Sequence, residues 1–357
     1  MAELPLTGLR VMDFGWVMAG PVLGHLLADM GAEVIKIESR GRIDACRRGR
    51  PMKRENKPEV EEFELVPLFH PLNRNKLSIT INLSNPNSAW LLRELAKKTD
   101  IIVENFTPGV LDKAGLSYEE LKEVKPDIIV IALSAAGQYG PLRDVRTYAP
   151  SITSLAGMDS LIGYEGEGPV GTVGISYADP NASVCGMVAV MAALYHRRRT
   201  GEGQYIDLPQ MEAATALLGE AILDYTMNGR VASTIGNYHP VMVPHNNYPC
   251  KGDDQWVSIA VKTEEEWQGL VKAMGSPTWA KDGRFADAFQ RRKNIVDLEK
   301  RIAEWTRQYA NLEVMETLQK AGVAAAPVND IEDELTNPHM QARQVYVEVE
   351  HPYTGKE

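Results

Sequence analysis

A strand, a helix and a second strand follow one another within the first forty residues, and this run limits the possible folds more than any other feature. GLRVMDFG reads as a buried strand, and from Pro21 to Met30 apolar residues recur at helical spacing. Gly31 ends that helix and EVIKIES forms the next strand. Two strands joined this way make a βαβ unit, whose crossover renders them parallel. LSITINL, DIIVENF and DIIVIALS continue the pattern, separated by amphipathic segments at Ser88–Thr99 and Ser117–Val124. The alternation predicts an α/β chain with a Rossmann-like, doubly wound sheet covered on both faces.

Further along, a long helix is predicted from about Asn181 to Arg199, with Pro180 at its first position. Ala182, Gly186, Ala189 and Ala193 form a stripe of small residues on it, which would let another backbone approach closely. A short strand, GQYIDL, and a helix from about Gln210 to Met227 follow. Between Asn228 and Tyr248 the pattern turns irregular, and a second lobe begins. It carries the strand WVSIAV, helices over Thr263–Met274, Asn294–Ala310 and Leu312–Ala321, and a last strand ending at Val328. The expected domains are a large α/β domain over 1–205, a connecting segment over 206–235, a small α+β domain over 236–330 and a C-terminal segment over 331–357.

Composition excludes several function classes. A net charge of −10 disfavours nonspecific binding to nucleic acid or to anionic membranes. The longest apolar run, Ser183–Tyr195, is too short to span a bilayer, and MAELPLTGLR has no apolar signal core. Cys46, Cys185 and Cys250 are isolated, as expected of reduced thiols in a cytoplasmic protein. The histidines show no metal spacing, so no metal is expected. A basic run, Arg40, Arg42, Arg47, Arg48, Arg50, Lys53 and Arg54, is either an anion site or a solvated loop.

The first β–α turn, DFGWVMAGP, lacks the GxGxxG fingerprint, which argues against a dehydrogenase. It still sets a helix N-terminus beside a strand's carboxyl end, a general anion site. Asp179, in SYADPN, stands before a proline at a helix start and reads as an N-cap. A carboxylate there is kept ionised, the form that acts as a nucleophile, so the capping and catalytic readings are compatible.

DFGWVMAGP, GAEVIKIE, NRNKLSITINL, VENFTPGVLDKAGL, SAAGQYGP, the Asp179 segment and RRRTGEGQYIDLPQMEA occur in this order. Together they resemble the class III CoA-transferases, the formyl-CoA and carnitine transferase type, densely over residues 6–218. The resemblance implies that Asp179 attacks an acyl-CoA thioester, forms a mixed anhydride, and passes CoA to an acceptor acid through an aspartyl-CoA thioester. Coenzyme A is thus the substrate carried between an acyl-CoA donor and a free carboxylic acid. Val17, Met18, Arg40, Leu72, Asn75, Lys76, Asn105, Phe106 and Lys113 fall on the family's CoA-contacting positions. Relatives also return their C-terminal region to the large domain and interlock two chains. A homodimer is therefore expected, with a heterodimer of related chains as the variant.

Two departures shape the expected reaction. Where formyl- and oxalyl-transferring relatives have a glycine lid, this chain has His239, Pro240, Val241 and Met242, a stiffer wall suited to a bulkier acyl group. His239 is either a contact for the substrate carboxylate or a plain loop residue. At the acid–base histidine of the related α-methylacyl-CoA racemases stands Tyr148, followed by Ala149. Tyrosine, with an unperturbed pKa of about 10, is poorly suited to that role. The expected activity is CoA transfer, with succinyl-CoA and an aromatic succinate such as benzylsuccinate as the pair that WVMAGP and TyrAlaPro at 148–150 resemble. The rival readings are an acyl-CoA racemase or epimerase and a noncatalytic CoA-binding subunit.

Overall fold

The computed structural model describes residues 3–52, 60–172, 174, 176–353 and 355–356; Lys53 and Arg54 of the basic run lie outside them. The chain divides into two compact units, one of Met1–Ile162, Pro169–Ser233 and Val349–Glu357, the other of Gly163–Gly168 and Thr234–Glu348. Residues 206–233, expected as a connection, belong with the first unit. There the helix Gln210–Thr215 buries Ala214, and Gln210 Nε2 donates to the Leu133 carbonyl at 3.0 Å.

The first unit is built on six strands: β1 (Arg10–Asp13), β2 (Glu33–Glu38), β3 (Lys76–Thr80), β4 (Ile101–Glu104), β5 (Ile129–Ala132) and β6 (Gln204–Asp207). Their order is β3-β2-β1-β4-β5-β6, and every pair is parallel. Alternate residues supply two cores. Val11, Ile101, Val103, Ile129 and Ile131 pack on Leu23 and Leu27 of helix α1 (Ala19–Asp29) and on Ala182, Val190 and Ala193 of the long helix Ala178–Thr200. Met12, Ile102 and Val130 meet Leu92 and Ala96 of Pro86–Ala96 and Leu121 of Tyr118–Val124 on the other side. Full burial of each leucine contributes about 2 kcal/mol, which is why apolar β-branched strands sandwiched between helices hold together. The strand order reverses between β1 and β4, and the crevice beyond their carboxyl ends is where ligands bind in such sheets.

The long helix departs from expectation at its start. It begins at Ala178 rather than near Asn181, so Asp179 lies in the first turn and makes no side-chain cap to its own helix. The small-residue stripe is also used within the chain. A Cβ at Gly186 would stand 3.2 Å from Leu23 and 3.3 Å from Ile131, so the glycine lets this helix settle on α1 and the sheet. Gly201 ends it in the left-handed region (φ 80°), where its N–H donates to the Arg197 carbonyl.

The second unit is α+β. Strands β7 (His245–Pro249), β8 (Trp256–Ala260) and β9 (Ala324–Pro327) form an antiparallel sheet, and its core joins Tyr248, Val257 and Ile259 to Trp267, Leu298, Ile302 and Leu318 from three helices. After β9 come the short helices Ile331–Thr336 and Pro338–Ala342 and then a hairpin, Glu350–His351 with Gly355–Lys356. This hairpin belongs to the first unit, and His351 stacks on His70 with ring centroids 4.0 Å apart.

Candidate active site

In the turn between β1 and α1, the backbone of Gly15, Trp16 and Val17 is held by side chains rather than by a strand or helix. Asp13 Oδ1 accepts from Gly15 N at 2.7 Å, and Lys36 Nζ donates to Gly15 O at 2.6 Å. Asn105 pairs both ways with Trp16, its Oδ1 accepting from the N–H and its Nδ2 donating to the carbonyl, each at 2.8 Å. Val17 N donates to Asp44, 3.2 Å from Oδ1, and Val17 O accepts from the Cys46 thiol at 3.2 Å. The charges beneath are paired as well: Lys76 Nζ lies 2.7 Å from Asp13 Oδ2, and Lys36 Nζ lies 3.3 Å from Asp44 Oδ2. All four of these side chains are at most 2% exposed. Val17 adopts φ 61°, a costly conformation for a β-branched residue that persists only where its surroundings fix it.

This turn delivers the N-terminus of α1 to Asp179. Ser183 Oγ lies 2.7 Å from the Ala19 carbonyl and 2.8 Å from the Asp179 carbonyl, joining the first turns of the two helices, and the Ala19 N–H faces the Asp179 carboxylate and favours its ionised form. Asp179 thus stands at two helix N-termini, which favour negative charge. Burial acts in the opposite sense and is stronger, so its pKa is pushed up to about 6 despite the Ala19 hydrogen bond. The nearby Cys46 thiol is pushed up to about 11 by burial and by Asp44, and it stays protonated beside the ionised carboxylate.

A cleft of about 350 Å³ opens at the carboxyl ends of β1 to β4, lined by Trp16, Phe106, Ser39, Arg42, Asn82 and Lys113 among others. Trp16 and Phe106 meet edge to face with centroids 6.2 Å apart, and the Arg42 guanidinium lies 4.7 Å over the Trp16 ring. Arg42 and Lys113 are exposed cations, so the cleft offers aromatic surface and positive charge together. The basic run therefore divides. Arg42 faces the cleft, whereas Arg47 is buried between Glu38 (2.8 Å) and Glu64 (2.9 Å) and stacked on Phe69. Arg40 follows Ser39 and is exposed, outside the lining.

The other residues singled out from the sequence are dispersed. Val17, Met18 and Asn105 form the turn and its clamp, and Phe106 and Lys113 line the cleft. Leu72 and Asn75 lie instead along α1: the Leu72 carbonyl is 3.4 Å from His25 Nδ1, and Asn75 Nδ2 donates to Asp29 at 2.8 Å. Lys76 is buried under the turn. His239 belongs to the second unit, where its Nδ1 accepts from Val241 N and Met242 N, each at 3.1 Å. Tyr148 precedes the helix Ala149–Leu155 and is 77% exposed, unlike a buried acid–base group. Sequence reasoning passes over Asp13, Lys36, Asp44 and Cys46 as site residues, and singles out Arg40 rather than Arg42 from the basic run. Lys36, a charge inside an otherwise apolar strand, was the signal available.

A family model described as CoA-transferase family III matches residues 6–356. The chain belongs to the class III CoA-transferases. It is 34% identical over 353 residues to succinyl-CoA–D-citramalate CoA-transferase of Chloroflexus aurantiacus, covering 99% of this chain and 85% of that one. Succinate–glutarate CoA-transferase of Agrobacterium fabrum is 32% identical over 350 residues, 97% of this chain and 85% of its own. Among solved structures, a CAIB/BAIF family protein from Brucella suis superposes with a TM-score of 0.86 at 30% identity, covering 99% of this chain and 91% of that one. As a class III CoA-transferase the protein is an enzyme that transfers CoA, and the α/β fold implied by the resemblance is the fold observed. Among the described residues, no helix is long and apolar enough to cross a membrane.

The Asp179 environment predicts a pH-dependent stability. The native state holds this proton up to about pH 6, whereas the ordinary carboxyl releases it near 3.8, so stability is lost as pH rises between the two and the cost persists at neutral pH. Asp179→Asn, which cannot ionise, should therefore be more stable than the parent at pH 7 by about 3 kcal/mol. The advantage should vanish below about pH 4, as read by urea unfolding across pH.

Proposed function

We propose that the protein moves CoA reversibly between succinyl-CoA and a small dicarboxylic acid, with Asp179 as covalent nucleophile. The observation that carries this reading is the Asp179 carboxylate held against the Ala19 N–H and partly buried, in a member of a family that transfers CoA. The carboxylate attacks the thioester carbonyl, the C–S bond breaks, and CoA leaves as thiolate with an acyl-aspartyl anhydride behind it. The thiolate then attacks the aspartyl carbonyl, releasing the donor acid and leaving aspartyl-CoA. The acceptor carboxylate attacks this thioester to form a second anhydride and free the thiolate. The thiolate in turn attacks the acceptor's acyl carbon and restores Asp179. Each step conserves the activation of the thioester and replaces one difficult exchange by easier ones.

The two helix N-termini supply fixed positive dipoles where these negative charges pass. Trp16, Phe106, Arg42 and Lys113 suit the nucleotide end of CoA, by stacking and by pairing with phosphate. The acceptor class follows from what the relatives' names share: citramalate, glutarate and, in a Haloarcula marismortui relative, mesaconate are all short dicarboxylates. Benzylsuccinate is a dicarboxylate of this class with an aromatic substituent.

The working unit is two copies of this chain. Val184, Val188, Met191 and Tyr195 make an exposed apolar line along the long helix, on the side opposite its contact with the sheet. A relative 33% identical to this chain is the beta subunit of a succinyl-CoA–L-malate CoA-transferase, so chains of this kind do assemble.

Incubation with succinyl-CoA should produce a mass gain on Asp179, read by intact-mass and peptide mass spectrometry. Asp179→Asn should lose the adduct and several orders of magnitude of transfer across a panel of dicarboxylates, because an amide is a poor nucleophile. In the parent enzyme kcat/KM should fall as pH drops below about 6, when Asp179 takes up its proton. Solvent deuterium entering the acyl chain with no acceptor acid present, and no thioester exchange, would turn the reading to a racemase. Light scattering after size exclusion should give the mass of two chains, and Val188→Asp should shift it to one; a single-chain parent would remove the dimer from the account.

A further inference from the structure

The Asp13–Lys76 ion pair stands apart from the cleft, and its geometry is that of a device acting on Asp179. Lys76 reaches under α1 from the first residue of β3, and its ammonium meets Asp13 Oδ2 at 2.7 Å, the Pro21 carbonyl at 2.8 Å and Asn73 Oδ1 at 3.0 Å. Those are three acceptors for three N–H donors, so no donor is left for another partner. The side chain is 2% exposed and that of Asp13 is not exposed at all. Swinging Lys76 toward a ligand would leave a bare carboxylate in the interior, which is strongly unfavourable. There is no slack around the pair either. A Cβ at Gly24 would fall 2.5 Å from Asp13 Oδ2 and 2.9 Å from Lys76 Nζ.

Asp13 is held by Lys76 through Oδ2, and through Oδ1 it holds Gly15 N. Gly15 lies against Gly20 so closely that a Cβ on either would stand at 2.5–2.6 Å from the other's Cα. The position of the turn and that of the first residues of α1 are therefore one quantity. Val17, strained at φ 61°, would relax if the turn loosened, and Ala19 would move with it.

We infer that Asp13 and Lys76 are positioning residues for transfer, fixing the turn that sets the Ala19 N–H against Asp179, and that Lys76 is not a ligand of the nucleotide phosphates. This rests on the reading of Asp179 as nucleophile.

The test is exchange of labelled succinate into succinyl-CoA and into its 3′-dephospho analogue, measured for the parent, Lys76→Met, Gly24→Ala and the double variant Asp13→Asn/Lys76→Met. The double variant removes both charges while keeping an acceptor for Gly15 N, so it carries the test if Lys76→Met fails to fold. Gly24→Ala presses on the pair without removing either charge. Turnover should fall about 100-fold in each folded variant, as displacement of a reacting group by about an ångström costs. KM for succinyl-CoA should stay within about threefold, because uniform binding is untouched. The preference for the 3′-phosphorylated ester should be unchanged. Retained turnover with a raised KM and a lost preference would make Lys76 a phosphate ligand and overturn the assignment, as would unchanged kinetics in the double variant. A parent enzyme that exchanges no succinate and forms no adduct on Asp179 would instead defeat the transferase reading, and the assignment would fall with it.

Discussion

Between β1 and α1 the chain passes through three residues, buried Gly15 and half-buried Trp16 and Val17, whose peptide groups have no ladder or helix to join. A buried peptide group without a partner costs on the order of 1–3 kcal/mol, and six such groups would be untenable in a protein of ordinary stability. Asp13, Lys36, Asn105, Asp44 and Cys46 satisfy all six. They come from the end of β1, the middle of β2, the segment after β4 and the short turn that follows β2. The turn can form only when the parallel sheet is already in register, so the sheet and the site fold as one unit. Burying two lysines and two aspartates is acceptable because each charge faces an opposite one and has further hydrogen bonds.

That rigidity sets the chemistry available at Asp179. Two helix N-termini favour its ionised form and burial disfavours it, and the balance leaves a carboxylate that is charged at neutral pH yet weakly solvated. Such a group is better poised to attack a carbonyl than an exposed aspartate, whose water shell must first be displaced. The nearby Cys46 thiol is kept protonated by the same burial and by the acids around it. The aromatic and cationic cleft lies on the same edge of the sheet, where the reversal in strand order leaves room for a long ligand.

Much of this was legible in the sequence because apolar period and strand–helix alternation are local properties. The six parallel strands lie on the predicted segments, and the second lobe has its predicted strands and helices. Partnerships between distant residues were not legible. Lys76 falls on a CoA-contacting position in the sequence, and its pairing with Asp13, sixty-three positions earlier, could not be read there. Within one basic run Arg47 is internal and Arg42 faces the cleft, a difference set by Glu38, Glu64 and Phe69 rather than by charge pattern. The small-residue stripe was read correctly as a site of close approach, but the approaching partners are α1 and the sheet of the same chain. Asp179 was expected to cap its own helix, and its carboxylate instead meets the N–H of a different one.

The account depends most on Asp179 being a partly buried carboxylate restrained by the Ala19 N–H. A carbon-detected NMR titration of enzyme labelled at the aspartate carboxyl carbons, assigned by comparison with Asp179→Asn, measures that directly. The predicted midpoint for Asp179 is about 6, in a resonance that also reports the hydrogen bond from Ala19. A midpoint near the ordinary 3.8 in fully active enzyme would contradict the account, because the carboxylate would then be solvated and free of the turn that is held to position it.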